Sequence, residues 1–150
     1  MFIRKATHQD LSRIAEIYVY NNRKNYWPIF KDDKFSFKEL QVVSLIDQYF
    51  GKKEVLEQIF VYDDDIVKGF IEIKVTEIKK IYVDTFFQSQ GIGENLIQYA
   101  VKEYGVNHLW ALEKNKKAIS FYERHGFLTT NEKQFEEGTT EYLIHLIRTL

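Results

Sequence analysis

The 150-residue chain contains no cysteine and a single proline, Pro28, and these absences exclude several functional classes. Without thiols there is no disulfide framework, no thiolate metal site and no cysteine nucleophile. No apolar run approaches the about 20 residues that are needed to cross a bilayer. The first ten residues also lack the apolar core of a signal peptide. These features predict a soluble, cytoplasmic protein without a membrane partner.

An excess of charge of either sign is also missing, since 21 basic residues stand against 22 acidic ones. This balance gives no general attraction to nucleic acid or to an anionic surface, so we expect any anion site to be local. The histidines His8, His108 and His145 show no ligand spacing, and we predict no metal. Apolar residues make up 45 % of the chain, which is enough for the core of one domain spanning residues 1–150.

The apolar periodicity predicts one continuous α+β domain. A short strand at 2–6 precedes a helix that Thr7 caps and that ends at Asn21-Asn22, and a second amphipathic helix follows over 37–50. Tight turns join the next strands into an antiparallel meander, whereas a helix before the following strand predicts a parallel pair. The remaining predictions are strands at 58–62, 66–75, 77–84 and 108–112, helices at 93–105 and 115–125, and a hairpin of 127–134 with 141–147.

A glycine-bearing turn, Gln88-Ser89-Gln90-Gly91-Ile92-Gly93, separates a predicted strand from a predicted helix. Unpaired amides at a helix start favour an anion, and glycines allow a pyrophosphate to approach the backbone closely. Taken alone, the same glycines are equally well explained as a tight turn that relieves crowding. A dinucleotide-binding fold is disfavoured, because its glycine motif follows the first strand of a parallel sheet.

Residues 81–93 resemble the coenzyme A signature of the GNAT N-acetyltransferase superfamily, in which Gln/Arg-x-x-Gly-x-Gly/Ala follows a strand. Gln88, Gly91 and Gly93 match that pattern. A second block of the family, Asn-x-x-Ala-x-x-Phe-Tyr-x-x-x-Gly-Phe, is matched by Asn115, Ala118, Phe121, Tyr122, Gly126 and Phe127. Thr85 and Ser89 stand where many members have proline and glycine, and neither change removes a backbone amide.

The resemblance implies a three-layer fold with helices on both faces of a mixed, mostly antiparallel sheet of about seven strands. The sheet would be splayed between its fourth and fifth strands, at 77–84 and 108–112. It also implies acetyl-coenzyme A as co-substrate, with the backbone of Ile81, Tyr82 and Val83 along the pantetheine arm. The pyrophosphate would be held by amides of Gln88, Ser89, Gln90, Gly91, Ile92 and Gly93.

Two further cofactor contacts are implied at the start of the next helix. Asn115 would contact the cofactor, although asparagine there is equally suited to cap the helix. Lys117 could approach the 3′-phosphate of the nucleotide, although a lysine run is more often a solvated face.

The resemblance also assigns catalytic roles. Tyr122 would protonate the departing thiolate, since a phenol of pKa about 10 keeps its proton at neutral pH. From the residues alone, Tyr122 is interpreted as an aromatic side chain of the core. Glu77 would be the general base, because alternation along a strand places it on the side of Ile81 and Val83. Alternatively, Glu77 is an ordinary exposed strand glutamate, and a water chain removes the amine proton.

The acceptor side in this fold lies at the first two helices and their connection, here Tyr26 and Trp27, whose rings could hold a cationic amine. The expected activity is direct transfer of acetyl to a primary amine of a small molecule or protein. A non-catalytic acyl-coenzyme A sensor and a protein-interaction scaffold of the same fold remain open. Homodimers are common in the family, although no residue here indicates one.

Overall fold

The computed structural model describes residues 2–149, which form three layers around a central sheet. The sheet has seven strands in the order β1-β2-β3-β4-β5-β7-β6. Every neighbouring pair is antiparallel except β4 and β5, which run parallel. This confirms the predicted mixed sheet. The strands are β1 (Ile3–Lys5), β2 (Ile59–Asp63), β3 (Val67–Lys74), β4 (Glu77–Val83), β5 (His108–Leu112), β6 (Phe127–Phe135) and β7 (Tyr142–Arg148).

Helices cover both faces of the sheet, as predicted, and each face has its own core. One core lies under α5 and α6 and is centred on Ile71, Leu96 and Leu109. The other lies under α1 and the segment that follows it, and is centred on Ile14 and Phe70. The helices are α1 (Leu11–Asn25), α2 (Trp27–Phe30), α3 (Val42–Leu45), α4 (Lys53–Leu56), α5 (Ile92–Tyr104) and α6 (Lys116–Arg124).

The start of the first helix is capped as predicted. The backbone N–H of Thr7 donates to Asp10 Oδ2 at 2.8 Å, which closes a capping box. Arg4 reaches the same carboxylate with both terminal nitrogens, at 2.8 and 2.9 Å. A buried acid therefore joins β1 to the entry of α1.

The predicted end of this helix is wrong, because α1 continues through Asn21 and Asn22 to Asn25. Both Asn21 and Asn22 are buried, and Asn21 Nδ2 donates to the carbonyls of Ile17 and Val83. The tertiary structure thus buries polar side chains whose local propensity predicts the end of a helix.

The prediction of one continuous helix over 37–50 is also wrong. A wide helical turn at Phe35–Glu39 ends at Leu40, and Gln41 is fully extended before α3 begins. A second wide turn, Ile46–Phe50, carries Phe50 into the core with no exposed surface. The segment is therefore a chain of short turns fitted around buried side chains.

The parallel strands β4 and β5 are paired only at their start, which confirms the predicted splay. Glu77 lies opposite His108 and Ile78 opposite Leu109, and the ladder ends there. Beyond that point β4 and β5 are not paired with each other. The divergence leaves a cleft that is open toward their carboxyl ends.

The Arg4–Asp10 contact gives a pH-dependent prediction. The guanidinium holds the pKa of Asp10 below its usual value, ahead of the contribution of the Thr7 amide. The stabilisation is therefore complete above the unfolded pKa of about 3.9 and is lost as the pH falls through the lower folded value. Replacing Asp10 with Asn should cost about 1–3 kcal/mol at pH 7, because a charge-assisted acceptor is lost.

Urea unfolding at pH 7 and pH 3 measures this cost, which should shrink at the lower pH. Asp63→Asn is the matched control, since Asp63 binds the same guanidinium at 3.0 Å on its exposed side. It should cost less than Asp10→Asn at pH 7. An Asp10→Asn penalty that is unchanged at pH 3 would contradict the assignment.

Candidate functional site

The space between the diverging strands is a cleft of about 420 Å³. Its walls are β4 from Ile78 to Val83, β5 from Leu109 to Leu112, the glycine turn before α5 and the exposed side of α6. Asn21, Asn25 and Tyr26 close it on the side of α1. A cleft of this size with polar and apolar walls is the arrangement expected of a ligand site.

The glycine turn lies at the open end of the cleft and has the geometry of an anion cradle. The first helical hydrogen bond of α5 runs from the Asn95 N–H to the Gly91 carbonyl at 3.0 Å, so the amides just before it have no partner within the helix. Gly91 has φ +83° and open space where a Cβ would stand. Backbone amides and the helix dipole therefore face an unobstructed approach.

Gly93 has a packing role in addition to its place in the motif. A Cβ on Gly93 would stand 3.0 Å from the ring of Phe121 on α6. Its missing side chain thus lets α5 and α6 pack closely, and Gly93 also lines the cleft.

Ser89 occupies the left-handed region of backbone space, with φ +64°. A residue with a Cβ pays about 1–2 kcal/mol in that region. This explains in physical terms why a glycine would suit the position.

Strand β4 is anchored to the glycine turn and to α1 through one carbonyl. The Val83 carbonyl accepts from Asn21 Nδ2 at 3.0 Å and from Gln88 Nε2 at 3.3 Å. The next residue, Asp84, binds Arg13 of α1 at 2.6 Å and accepts from the Phe86 N–H at 2.8 Å. The turn is therefore held in place by side chains from a helix more than 60 residues earlier.

Three tyrosines converge where α1, β4 and α6 meet. Tyr26 and Tyr82 share a hydrogen bond between hydroxyls at 3.0 Å. Tyr122 lies across the cleft on α6 and packs on the edge of the core under α5. Burial, with a smaller contribution from Tyr26, raises the pKa of Tyr122 well above its usual value. Its hydroxyl therefore keeps its proton throughout the neutral range.

Asn115 caps α6, with its side chain accepting from the Ala118 N–H at 3.3 Å, and it also lines the cleft. The capping interpretation is confirmed, and it is compatible with a ligand contact. Lys117 is exposed at the cleft mouth, whereas Lys114 pairs with Glu141 at 3.0 Å.

Most residues that the sequence singled out lie together at this cleft. Of the residues proposed for cofactor contact, only Gln90 does not line it. Tyr26 and Tyr122 are also in the lining, whereas Glu77 and Trp27 are outside it. The indole of Trp27 donates to Asp33 at 2.7 Å, and Lys31 covers its ring at 4.3 Å.

The predicted facing of Glu77 is wrong. The register with β3 shifts so that Glu72 opposes Lys80 and Ile73 opposes Ile78, which leaves Lys79 as an extra residue in β4. Ile78 and Ile81 consequently reach the same core although they are three positions apart. Glu77 is placed on the opposite side, with Lys80 and Tyr82, at the closed end of the cleft.

The sequence does not predict that a group of buried residues gathers on this α1 side of the sheet, although Glu72 is a weaker candidate for the general base. Glu72 is 2 % exposed, and the Tyr49 hydroxyl lies 2.7 Å from both of its carboxylate oxygens. Lys80 lies opposite Glu72 in the ladder and reaches into the cleft. The only sequence signal for this group is that charged residues interrupt apolar strands. Glu72 follows Phe70-Ile71, and Lys80 precedes Ile81.

Between residues 2 and 149, no helix is long and apolar enough to cross a membrane. Over the same range, no group of three or more histidine or acidic side chains is placed to hold a metal ion.

The central part of the chain is similar in sequence to known acetyltransferases. Residues 56–128 match the acetyltransferase (GNAT) domain family. An uncharacterized N-acetyltransferase of Methanocaldococcus jannaschii is 41 % identical over 70 residues, a match that covers 43 % of this chain and 30 % of that relative. The matched segment thus spans less than a third of the relative's length.

Two solved structures show the same fold over nearly the whole chain. An N-acetyltransferase from Staphylococcus aureus Mu50 superposes with a TM-score of 0.75 at 18 % identity, covering 98 % of this chain and 100 % of the other. The PaiA N-acetyltransferase from Thermoplasma acidophilum, in complex with coenzyme A, has a TM-score of 0.65 at 19 % identity, covering 95 % and 96 %. Residues 56–128 are therefore similar in sequence to the GNAT acetyltransferase domain, and the whole chain has the fold of these acetyltransferase structures.

The backbone at Ser89 yields a stability prediction. Ser89→Gly should stabilise the fold by roughly 0.5–1 kcal/mol, because the relief of left-handed strain exceeds the entropy that glycine loses on folding. Ser89→Ala is the matched control, since it removes the hydroxyl but keeps the Cβ, and it should give no gain. Urea unfolding of the three proteins decides the point, and equal gains in both variants would show that backbone strain is not the cause.

Proposed function

We propose that the protein is an N-acetyltransferase that moves acetyl directly from acetyl-coenzyme A to a primary amine of a small molecule or protein. The observation that carries the proposal is the junction of the glycine-turn amides, the open edge of β4 and Tyr122 at one cleft. The match of residues 56–128 to the GNAT acetyltransferase domain and the coenzyme A complex of the similar Thermoplasma structure support the same donor.

The chain offers coenzyme A suitable partners along the cleft. The turn around Gly91 supplies amides to a pyrophosphate without a side chain in the way. Beyond Ile78 the edge of β4 has no neighbouring strand, so the backbone of Ile81 to Val83 is available to the amides of a pantetheine arm. Lys117, exposed at the mouth, is placed to meet a nucleotide phosphate as a point charge.

Tyr122 supplies the acid that the reaction needs. A thiol has a pKa of about 8.5, below that of a phenol, so Tyr122 stabilises the developing thiolate by a hydrogen bond and passes its proton on only as the incoming amine releases one. The raised pKa of Tyr122 keeps its hydroxyl protonated before the reaction. Tyr122 therefore donates to the sulfur as the bond to the acyl carbon breaks.

The acceptor is assigned to the α1 side of the cleft, where Tyr26 and Tyr82 present hydroxyls and ring faces. Glu77 stays the proposed base for the amine proton and acts through water, because it lies outside the cleft lining. Trp27 stays a proposed acceptor contact only at the outer rim, since its indole is bound to Asp33.

Donor binding can be tested by thermal unfolding with acetyl-coenzyme A. At about 100 times its Kd, the ligand should stabilise the protein by about 2.7 kcal/mol, which raises Tm by several degrees. Gly91→Trp should abolish this rise, because the indole would fill the open space over the turn.

The matched control is Gly105→Trp, at the far end of α5. Gly105 also has positive φ and open space around its Cβ position, yet it does not line the cleft. This variant should lose intrinsic stability to a similar degree and keep the ligand-induced rise. A wild-type protein without any rise would leave the scaffold alternative, and a rise without transfer to any amine would leave the sensor alternative.

Acid catalysis can be tested by Tyr122→Phe. Loss of a positioned acid should lower kcat by about 10²–10⁴-fold, with KM for acetyl-coenzyme A nearly unchanged. Release of the coenzyme A thiol over a panel of amines measures this. Tyr142→Phe, on the distal hairpin, is the control and should retain full activity. Equal activity of wild type and Tyr122→Phe would contradict the assigned role.

A further inference from the structure

Lys80 lines the proposed reaction cleft, and its Nζ lies among aromatic rings at the α1 side of the sheet, without an ion-paired acid. Its Nζ lies 4.5 Å from the ring centre of Tyr49 and 5.6 Å from that of Tyr18. Across residues 2–149, no carboxylate forms an ion pair with it within 4.0 Å. Aromatic faces, rather than a fixed counter-charge, therefore position this amine.

The nearest acid in the ladder is engaged elsewhere. Glu72 opposes Lys80 in register, but its carboxylate is buried and accepts the Tyr49 hydroxyl at 2.7 Å. Burial lowers the pKa of Lys80, and the charge of Lys79 adds to this effect. The charges of Glu72, Glu136 and Glu77 oppose the effect only in part. Lys80 thus loses its proton more readily than a solvated lysine, and the neutral amine is a nucleophile.

The position of Lys80 along β4 is what makes this amine relevant to acyl transfer. The glycine turn and Lys80 lie on opposite sides of Ile81–Val83, the stretch assigned to the pantetheine arm. Lys80 is two residues from the point where β4 and β5 come together, at Ile78 and Leu109. A chain anchored at the turn and laid along β4 carries its far end toward Lys80, with Tyr122 on the facing wall.

We propose that Lys80 is an internal acetyl acceptor, which the protein acetylates from bound acetyl-coenzyme A when no external amine is present. This inference rests on the proposed function. The neutral Nζ of Lys80 forms a bond to the acyl carbon while the bond from that carbon to sulfur breaks. Tyr122 gives a proton to the sulfur, and the proton released from Nζ restores the Tyr122 hydroxyl. The products are an acetamide on Lys80 and free coenzyme A thiol.

Acetylation of Lys80 has a consequence for the site. It removes the positive charge opposite Glu72 and adds an acyl group on the α1 side of the cleft, where the external acceptor is assigned. The modified protein should therefore transfer acetyl to external amines more slowly than the unmodified protein.

The test is incubation of the whole protein with acetyl-coenzyme A alone, followed by intact mass and by fragmentation that distinguishes Lys79 from Lys80. A single acetyl group on Lys80 is expected. Lys80→Met should remove it, whereas Lys79→Arg, at the neighbouring exposed lysine, should retain it. Tyr122→Phe should slow its formation by about 10²–10⁴-fold, and excess coenzyme A should compete with it.

The outcomes separate this inference from the proposed function. A cofactor-induced rise in Tm with no acetyl on Lys80 overturns the inference and leaves the transferase proposal in place. Acetyl groups spread over surface lysines at a rate that Tyr122→Phe does not change also overturn it, because uncatalysed chemistry would explain them. The absence of both the Tm rise and the adduct overturns both proposals.

Discussion

The separation of β4 from β5 after two residue pairs is the constraint on which the rest of the site depends. Each strand beyond that point carries backbone groups that no neighbouring strand satisfies, and such groups need water, side chains or a ligand. Asn21 and Gln88 already take the Val83 carbonyl, at the end nearest the glycine turn. The unpaired stretch that remains lines the cleft, so the sheet topology itself provides a surface made of backbone.

Two side-chain arrangements fix the positions of the cleft walls. The Arg13–Asp84 contact of 2.6 Å fixes the exit of β4 to α1, and Asp84 also orders the short turn that follows. On the other wall, the missing Cβ of Gly93 admits the Phe121 ring, which sets the distance between α5 and α6. Tyr122, next to Phe121, is positioned by the same packing. The glycine turn and Tyr122 are therefore linked through the packing of α5 against α6.

The strand order and both motif blocks could be predicted because they depend on local pattern: alternation, glycines at turns and an asparagine that caps a helix. The errors arose where tertiary contacts, rather than the local sequence, determine the structure. Asn21 reads as a helix end but is buried as a donor to Val83, and the segment before Phe50 breaks at Gln41 to seat side chains in the core. The extra residue at Lys79 reversed the expected face of Glu77, and no local pattern marks a bulge that depends on pairing with β3.

The two halves of the cleft differ in how far sequence can reveal them. The proposed donor half is made of backbone in two contiguous motifs, so the local sequence pattern is sufficient to predict it. The proposed acceptor half is made of side chains from separate segments, with Tyr26, Lys80 and Tyr82 in the cleft lining. Burial raises the pKa of Tyr26, although its hydrogen bond to Tyr82 has the opposite effect. Tyr18 and Tyr49 do not line the cleft but contact Lys80, and Glu72 accepts the Tyr49 hydroxyl. Because only folding brings these residues together, no local pattern in the sequence predicts the proposed acceptor half.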